Sequence, residues 1–92
     1  MGRGGYGGGY GPGAGRGRVA HPAIEAGFND GYQKGLEDAR RNRSFDVLRH
    51  KWYREGDRHY QARFGTRQQY KDIYRDAFKD GYEHGYREGR WR

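Results

Sequence analysis

Small residues recur at every fourth position in two separate stretches of this chain. The first stretch reads Ala23, Gly27, Gly31, Gly35, Ala39, and the second reads Ala77, Gly81, Gly85, Gly89. A bulky stripe accompanies each, Ile24, Phe28, Tyr32 and Leu36 in the first and Tyr70, Tyr74, Phe78, Tyr82 and Tyr86 in the second. Glycine costs a helix about 1 kcal/mol per residue relative to alanine, so several glycines in helical register have to be compensated by close backbone contact. The pattern predicts two helices that touch another surface at short range, with Gly27, Gly31, Gly35, Ala77, Gly81, Gly85 and Gly89 as the contact residues.

Composition limits what can surround that contact. In 92 residues the branched aliphatic supply is Leu36, Leu48, Ile24, Ile73, Val19 and Val47, and 34% of the chain is charged. With a mean hydropathy of −1.45 this approaches the signature of a disordered chain. The 16% aromatic content, in helical register after position 23, argues for an ordered all-α fold instead. Its core is expected to be thin, with tyrosine and phenylalanine rings laid over glycine and the hydroxyls left in water.

The chain has no cysteine, so disulfides and thiolate metal sites do not arise. Histidines 21, 50, 59 and 84 show no ligand spacing; no metal or other cofactor is expected, and the imidazoles are read as solvent-exposed. No apolar run approaches the ~20 residues of a membrane-spanning helix. No leader-peptide pattern is visible in residues 1–18 either. Location is open on this basis: cytoplasmic as written, extracytoplasmic if a signal has been removed.

Two regions follow. Residues 1–21 form a glycine-, arginine- and tyrosine-rich arm, ten of its first eighteen residues being glycine, and such a segment cannot repay its own ordering entropy. Residues 22–92 form a small helical domain with repeats at about 23–41 and 66–90 and a basic connection, 40–67, between them. Pro22 suits the first turn of the first helix. Ser44 is a candidate N-cap for a short helix with Phe45, Leu48 and Trp52 on one face, ended by Gly56. A further helical piece is expected over 57–64, ended by Gly65. Thr66 and Gln69 form a capping box that starts the last helix. A four-residue step overshoots a helical turn by about 40°. The two stripes are therefore expected to meet in a short, tight crossing near −50° rather than a long parallel seam.

Charge is unevenly placed. The connection carries Arg40, Arg41, Arg43, Arg49, Lys51, Arg54, Arg58, Arg63 and Arg67 against Asp46, Glu55 and Asp57, a net of +6 out of +7 for the whole chain. Those nine cations are the candidate polyanion-binding residues, with Trp52, Tyr53 and Tyr60 as candidate base-stacking residues and RNA or DNA as the ligand. Arg3-Gly4-Gly5-Tyr6 offers a single arginine-glycine-glycine match in the arm. The small stripes pack either within one chain as a helical hairpin or between chains, which would make a homo-oligomer or a part of a larger assembly. Catalysis is not expected. The only serine, Ser44, and the only threonine, Thr66, are assigned to caps, and Glu37 and Asp38 are read as lying on a polar helix face with no pocket to shift a pKa.

Three segments carry a resemblance: Gly27-Phe28-Asn29-Asp30-Gly31-Tyr32, Arg54-Glu55-Gly56-Asp57-Arg58-His59-Tyr60 and the run from Tyr74 to Tyr86. In these the chain resembles a group of small bacterial proteins, notably from acidobacteria, with repeated Gly-Tyr-x-x-Gly-Tyr segments. The resemblance implies no particular activity; many of that group look like secreted precursors, which implies an extracytoplasmic setting. By composition the chain is also similar to hydrophilins, which makes a stress-protective or structural role the alternative to a non-enzymatic interaction module.

Overall fold

The computed structural model describes residues 21–90; residues 1–20 of the glycine-rich arm, with the Arg3-Gly4-Gly5-Tyr6 segment, lie outside them. Two long helices, α1 (Pro22–Arg40) and α3 (Arg67–Arg90), are joined by a crossover. It contains the short helix α2 (Lys51–Glu55) and single 3-10 turns at Val47–Arg49 and Ala62–Phe64. No strand occurs among the described residues.

Local chemistry accounts for the ends. Pro22 takes the first position of α1, and His21 caps it, its Nδ1 accepting from the Ala23 amide at 3.1 Å. The helix closes in a Schellman motif. Asn42 adopts φ 58°, its amide donates to the Ala39 carbonyl (3.1 Å), and the Arg43 amide donates to that of Asp38 (2.8 Å). At the start of α3, the Thr66 hydroxyl accepts from the Gln69 amide at 3.1 Å, as the capping residues predict. Gly56 (φ 71°) ends α2 and Gly65 (φ 104°) ends the last 3-10 turn, both in conformations that side chains disfavour.

α1 and α3 pack as closely as the stripes require, but in a direction and over a length that the stripes did not reveal. A Cβ placed on Gly27, Gly31 or Gly35 would collide with the carbonyl of Tyr74, Phe78 or Tyr82. One placed on Gly81 or Gly85 would collide with the carbonyl of Phe28 or Tyr32, and one on Gly89 would lie 2.7 Å from the Ala39 Cβ. Every step of four on α1 is matched by a step of four in the same sense on α3, so the helices run parallel. The expected hairpin, whose helices are antiparallel, is not formed. Nor is the contact a brief crossing. It persists from Gly27 to Ala39, about 18 Å at 1.5 Å per residue. A stripe with a period above 3.6 stays at a seam if the helices wrap right-handedly, which replaces divergence after one crossing. Carbonyl oxygens seated against glycine Cα atoms are the geometry in which Cα–H···O contacts form between helices.

A parallel pair obliges the crossover to run the length of α1 backwards, and it does so over the aromatic face of α3. Phe45 meets Tyr82 and Tyr86 with ring centroids at 5.0 and 5.3 Å, Tyr53 meets Phe78 at 5.7 Å, and Tyr60 meets Tyr70 at 5.3 Å. Tyr70, Tyr74, Phe78 and Tyr82 are each 0% exposed and form the core with Ala23. The rings therefore lie beside the glycine seam and under the crossover, while backbone atoms cover the glycines themselves.

The crossover differs from its expected form in two places. Asp46 rather than Ser44 is the cap, its Oδ1 accepting from the Leu48 amide at 3.1 Å. The chain then breaks at His50, in extended conformation, so residues 45, 48 and 52 do not share a face. Phe45 and Leu48 are 55% and 63% exposed, while Val47, Trp52 and Tyr53 pack on the core. Over 57–64 only Ala62–Phe64 is helical. A turn closed by the Tyr60 amide on the Asp57 carbonyl (3.0 Å), with His59 at φ 71°, takes the rest.

Candidate functional site

Tyrosine hydroxyls buried beneath a crossover have to find acceptors, and two of them find buried carboxylates on α1. Tyr74 donates to Asp30 Oδ2 at 2.7 Å and Tyr82 donates to Asp38 Oδ2 at 2.6 Å. Each carboxylate also receives an arginine from the crossover: Arg58 Nε on Asp30 at 3.0 Å, Arg49 Nη1 on Asp38 at 2.8 Å. A histidine follows each arginine in sequence. His50 Nε2 lies 2.8 Å from Asp38 Oδ2, and His59 Nε2 lies 4.0 Å from Asp30 Oδ2. The two clusters repeat one plan, with Asp30 and Asp38 eight residues apart on α1 and Tyr74 and Tyr82 eight apart on α3.

This arrangement corrects three expectations. Asp38 is fully buried rather than set on a polar face. Burial pushes its pKa up, but hydrogen bonds from Tyr82, His50 and Arg49 and the charge of His50 outweigh it and leave the carboxyl below its usual range. The Tyr74 and Tyr82 hydroxyls are not in water. His50 is buried and His21 is half-buried, with its Nε2 3.2 Å from the Phe64 carbonyl. An ionised Asp38 offers only lone pairs, so His50 Nε2 carries the hydrogen. The sequence does contain a signal for the clusters in the paired Arg-His dipeptides at 49–50 and 58–59 and in aspartates preceding a small stripe residue. Periodicity alone, which marks such aspartates as flanking the seam, does not disclose their burial.

The tyrosines yield a titration test. Burial, then the hydrogen bond to Asp38, pushes Tyr82 up to about 12. Burial, then the hydrogen bond to Asp30, pushes Tyr74 higher, and burial raises Tyr70. A raised value stabilises the fold fully below the ordinary tyrosine value of about 10 and is lost as pH rises through the folded values. Phenolate absorbance is expected to include a phase above the ordinary tyrosine range that coincides with loss of helical circular dichroism. A single phase near 10 with helix retained would show that these hydroxyls are not held.

The nine candidate cations divide by this geometry. Arg49, Arg58 and Arg67 are bound to Asp38, Asp30 and Asp57, and Arg54 donates to the Leu48 and Arg49 carbonyls, both at 2.8 Å. Arg40, Arg41, Arg43, Lys51 and Arg63 are exposed. The candidate stacking residues are occupied within the fold. Trp52 carries Lys34 and Arg58 over its ring at 4.3 and 3.5 Å; Tyr53 lies on Phe78; Tyr60 lies on Tyr70 and donates to the Gly65 carbonyl at 2.6 Å. A recessed surface between the end of α1 and the start of α2 is lined by Lys34, Glu37, Arg41, Arg43, Arg49, His50, Lys51 and Trp52.

Ser44 Oγ is held by Arg49 Nη2 at 3.1 Å, and Thr66 caps α3, so neither is paired with a histidine base. Among the described residues no group of three His, Asp or Glu side chains is placed to hold a metal. No helix described is long and apolar enough to cross a membrane. No family model, curated protein or solved structure matches the chain.

Proposed function

We propose that the protein is a non-enzymatic module that binds single-stranded RNA or DNA through the phosphate backbone, using the exposed cations of the crossover and the adjoining end of α1. One observation carries the reading. Arg40, Arg41, Arg43, Lys51 and Arg63 are exposed within one 24-residue stretch, Arg43 and Lys51 with only long ion contacts, 3.8 Å to Asp38 and 4.0 Å to Glu55, and together they leave a basic surface. The occupied rings of Trp52, Tyr53 and Tyr60 make this binding electrostatic, with little sequence preference. Self-association through the small stripes is not favoured, because α1 and α3 cover each other's glycines.

Filter binding of a single-stranded oligonucleotide at several salt concentrations tests the proposal. The logarithm of affinity is expected to fall with that of salt at about −0.7 per phosphate contact, a slope near −3.5 if all five cations engage. Changing Arg40, Arg41, Arg43, Lys51 and Arg63 to glutamine is expected to remove most of the slope. No binding at low salt, or an unchanged slope in the variant, would defeat the reading and favour a structural or protective role.

A further inference from the structure

We infer that the recess between α1 and α2 is a site for a phosphate monoester, supplied by the phosphorylated end of a nucleic-acid strand; this rests on the nucleic-acid reading above. Lys34, Arg41, Arg43, Arg49 and Lys51 converge on it, with Glu37 the one acidic group in its wall. Glu37 is 3.6 Å from Lys34, and Arg49 is held by Asp38 at 2.8 Å. Arg41, Arg43 and Lys51 keep most of their charge. The Lys51 contact to Glu55 is 4.0 Å long with both side chains mostly exposed, and the nearest carboxylate oxygen to Arg43 is Asp38 Oδ1 at 3.8 Å. The Lys51 pair, exposed on both sides, contributes little, and Arg43, itself half-exposed, reaches the buried Asp38 only at 3.8 Å.

Three incompletely matched cations around a concavity suit a compact group of high charge better than an extended strand. A terminal phosphate carries about −1.5 to −2 near neutral pH and offers three oxygens to guanidinium donors, whereas each internal diester carries about −1. Trp52 forms part of the wall, but Lys34 and Arg58 already lie over its ring, so recognition falls on the phosphate and not on a base. A second recess lined by Arg40, Arg43, Arg90 and Tyr86 with Gly89 lies at the C-terminal ends of both long helices, where the carbonyl ends carry partial negative charge, whereas the recess at α2 adjoins that of α1 alone.

The test compares one ten-nucleotide single strand with hydroxyl ends, the same strand with a 5′ phosphate, and an eleven-nucleotide hydroxyl-ended strand that adds charge only as a diester. The 5′ phosphate is expected to tighten binding about tenfold over both hydroxyl-ended strands. Arg41→Gln with Lys51→Gln is expected to abolish that gain, and Lys79→Gln on α3 to leave it intact. In parallel, inorganic phosphate is titrated while the Trp52 indole resonance is followed by NMR, and a saturable shift absent from the double variant is expected. Equal affinity for all three strands, without an indole shift, would overturn the monoester site while leaving the nucleic-acid reading standing. An indole shift with phosphate but no binding of any strand would overturn the nucleic-acid source and keep the phosphate site.

Discussion

Gly31→Ala is expected to lower the melting temperature of the domain by about 8–16 °C, although the same change in an exposed helix would stabilise it by about 1 kcal/mol. The added methyl meets the Phe78 carbonyl and Cα of the opposite backbone, and backbone cannot rotate aside as a side chain can. The helices must separate locally, and overpacking of this kind costs about 1–3 kcal/mol or more. In a domain of this size 1 kcal/mol corresponds to about 4–8 °C, so a net loss of about 2 kcal/mol is readable. Gly81→Ala and Gly85→Ala meet the carbonyls of Phe28 and Tyr32 and should behave alike. Gln33→Ala, at an exposed position of α1, is the control. Leucine at Gly31 or Gly81 is expected to prevent folding. Circular dichroism melts decide the matter, and Gly31→Ala melting at or above the parent temperature would refute the seam.

Asp38→Ala is expected to be comparably damaging, for a different reason. Removing the carboxylate leaves the Tyr82 hydroxyl, Arg49 and buried His50 without their shared acceptor, and breaking a buried ion pair from one side costs about 3–5 kcal/mol. The contribution is also pH-dependent. Because the folded carboxyl lies below its ordinary value, its stabilisation is present in full above the unfolded aspartate pKa of about 3.9 and is lost as pH falls through the lower folded value. Chemical denaturation at pH 7 and at pH 3 should show the parent losing part of its advantage over Asp38→Ala at the lower pH. A constant difference across that range would show that the carboxylate does not act through its charge. Asp30→Ala, whose aspartate holds Tyr74 and Arg58, is expected to be destabilising as well.

The legible part of the candidate site was its charge. The excess of arginine and lysine over residues 40–67 can be counted, yet the count does not say which cations remain free. Arg49 and Arg58 differ in sequence from Arg41 and Arg43 only by the histidine that follows each, and Asp38 and Asp30 have to be brought beneath them before they are seen to be paired. Trp52, Tyr53 and Tyr60 likewise read as stacking groups, and it is the return path of the crossover over α3 that packs their rings against Phe78, Tyr70 and the cations Lys34 and Arg58.

By itself the sequence determined that there would be two long helices, where α3 starts at Thr66, that Gly56 and Gly65 would end their segments, and which faces would meet at close range. Those are local matters of capping, φ and period. Only the tertiary structure decided that the helices run parallel. A four-residue stripe reads the same in both directions, so it carries no polarity, and direction rests on contacts between residues far apart in the chain. These are the pairing of Asp30 with Tyr74 and Asp38 with Tyr82, and a crossover long enough to return along α1 while laying its aromatic residues over α3. The same closure buried Asp38 and His50, which the period of the stripes does not disclose.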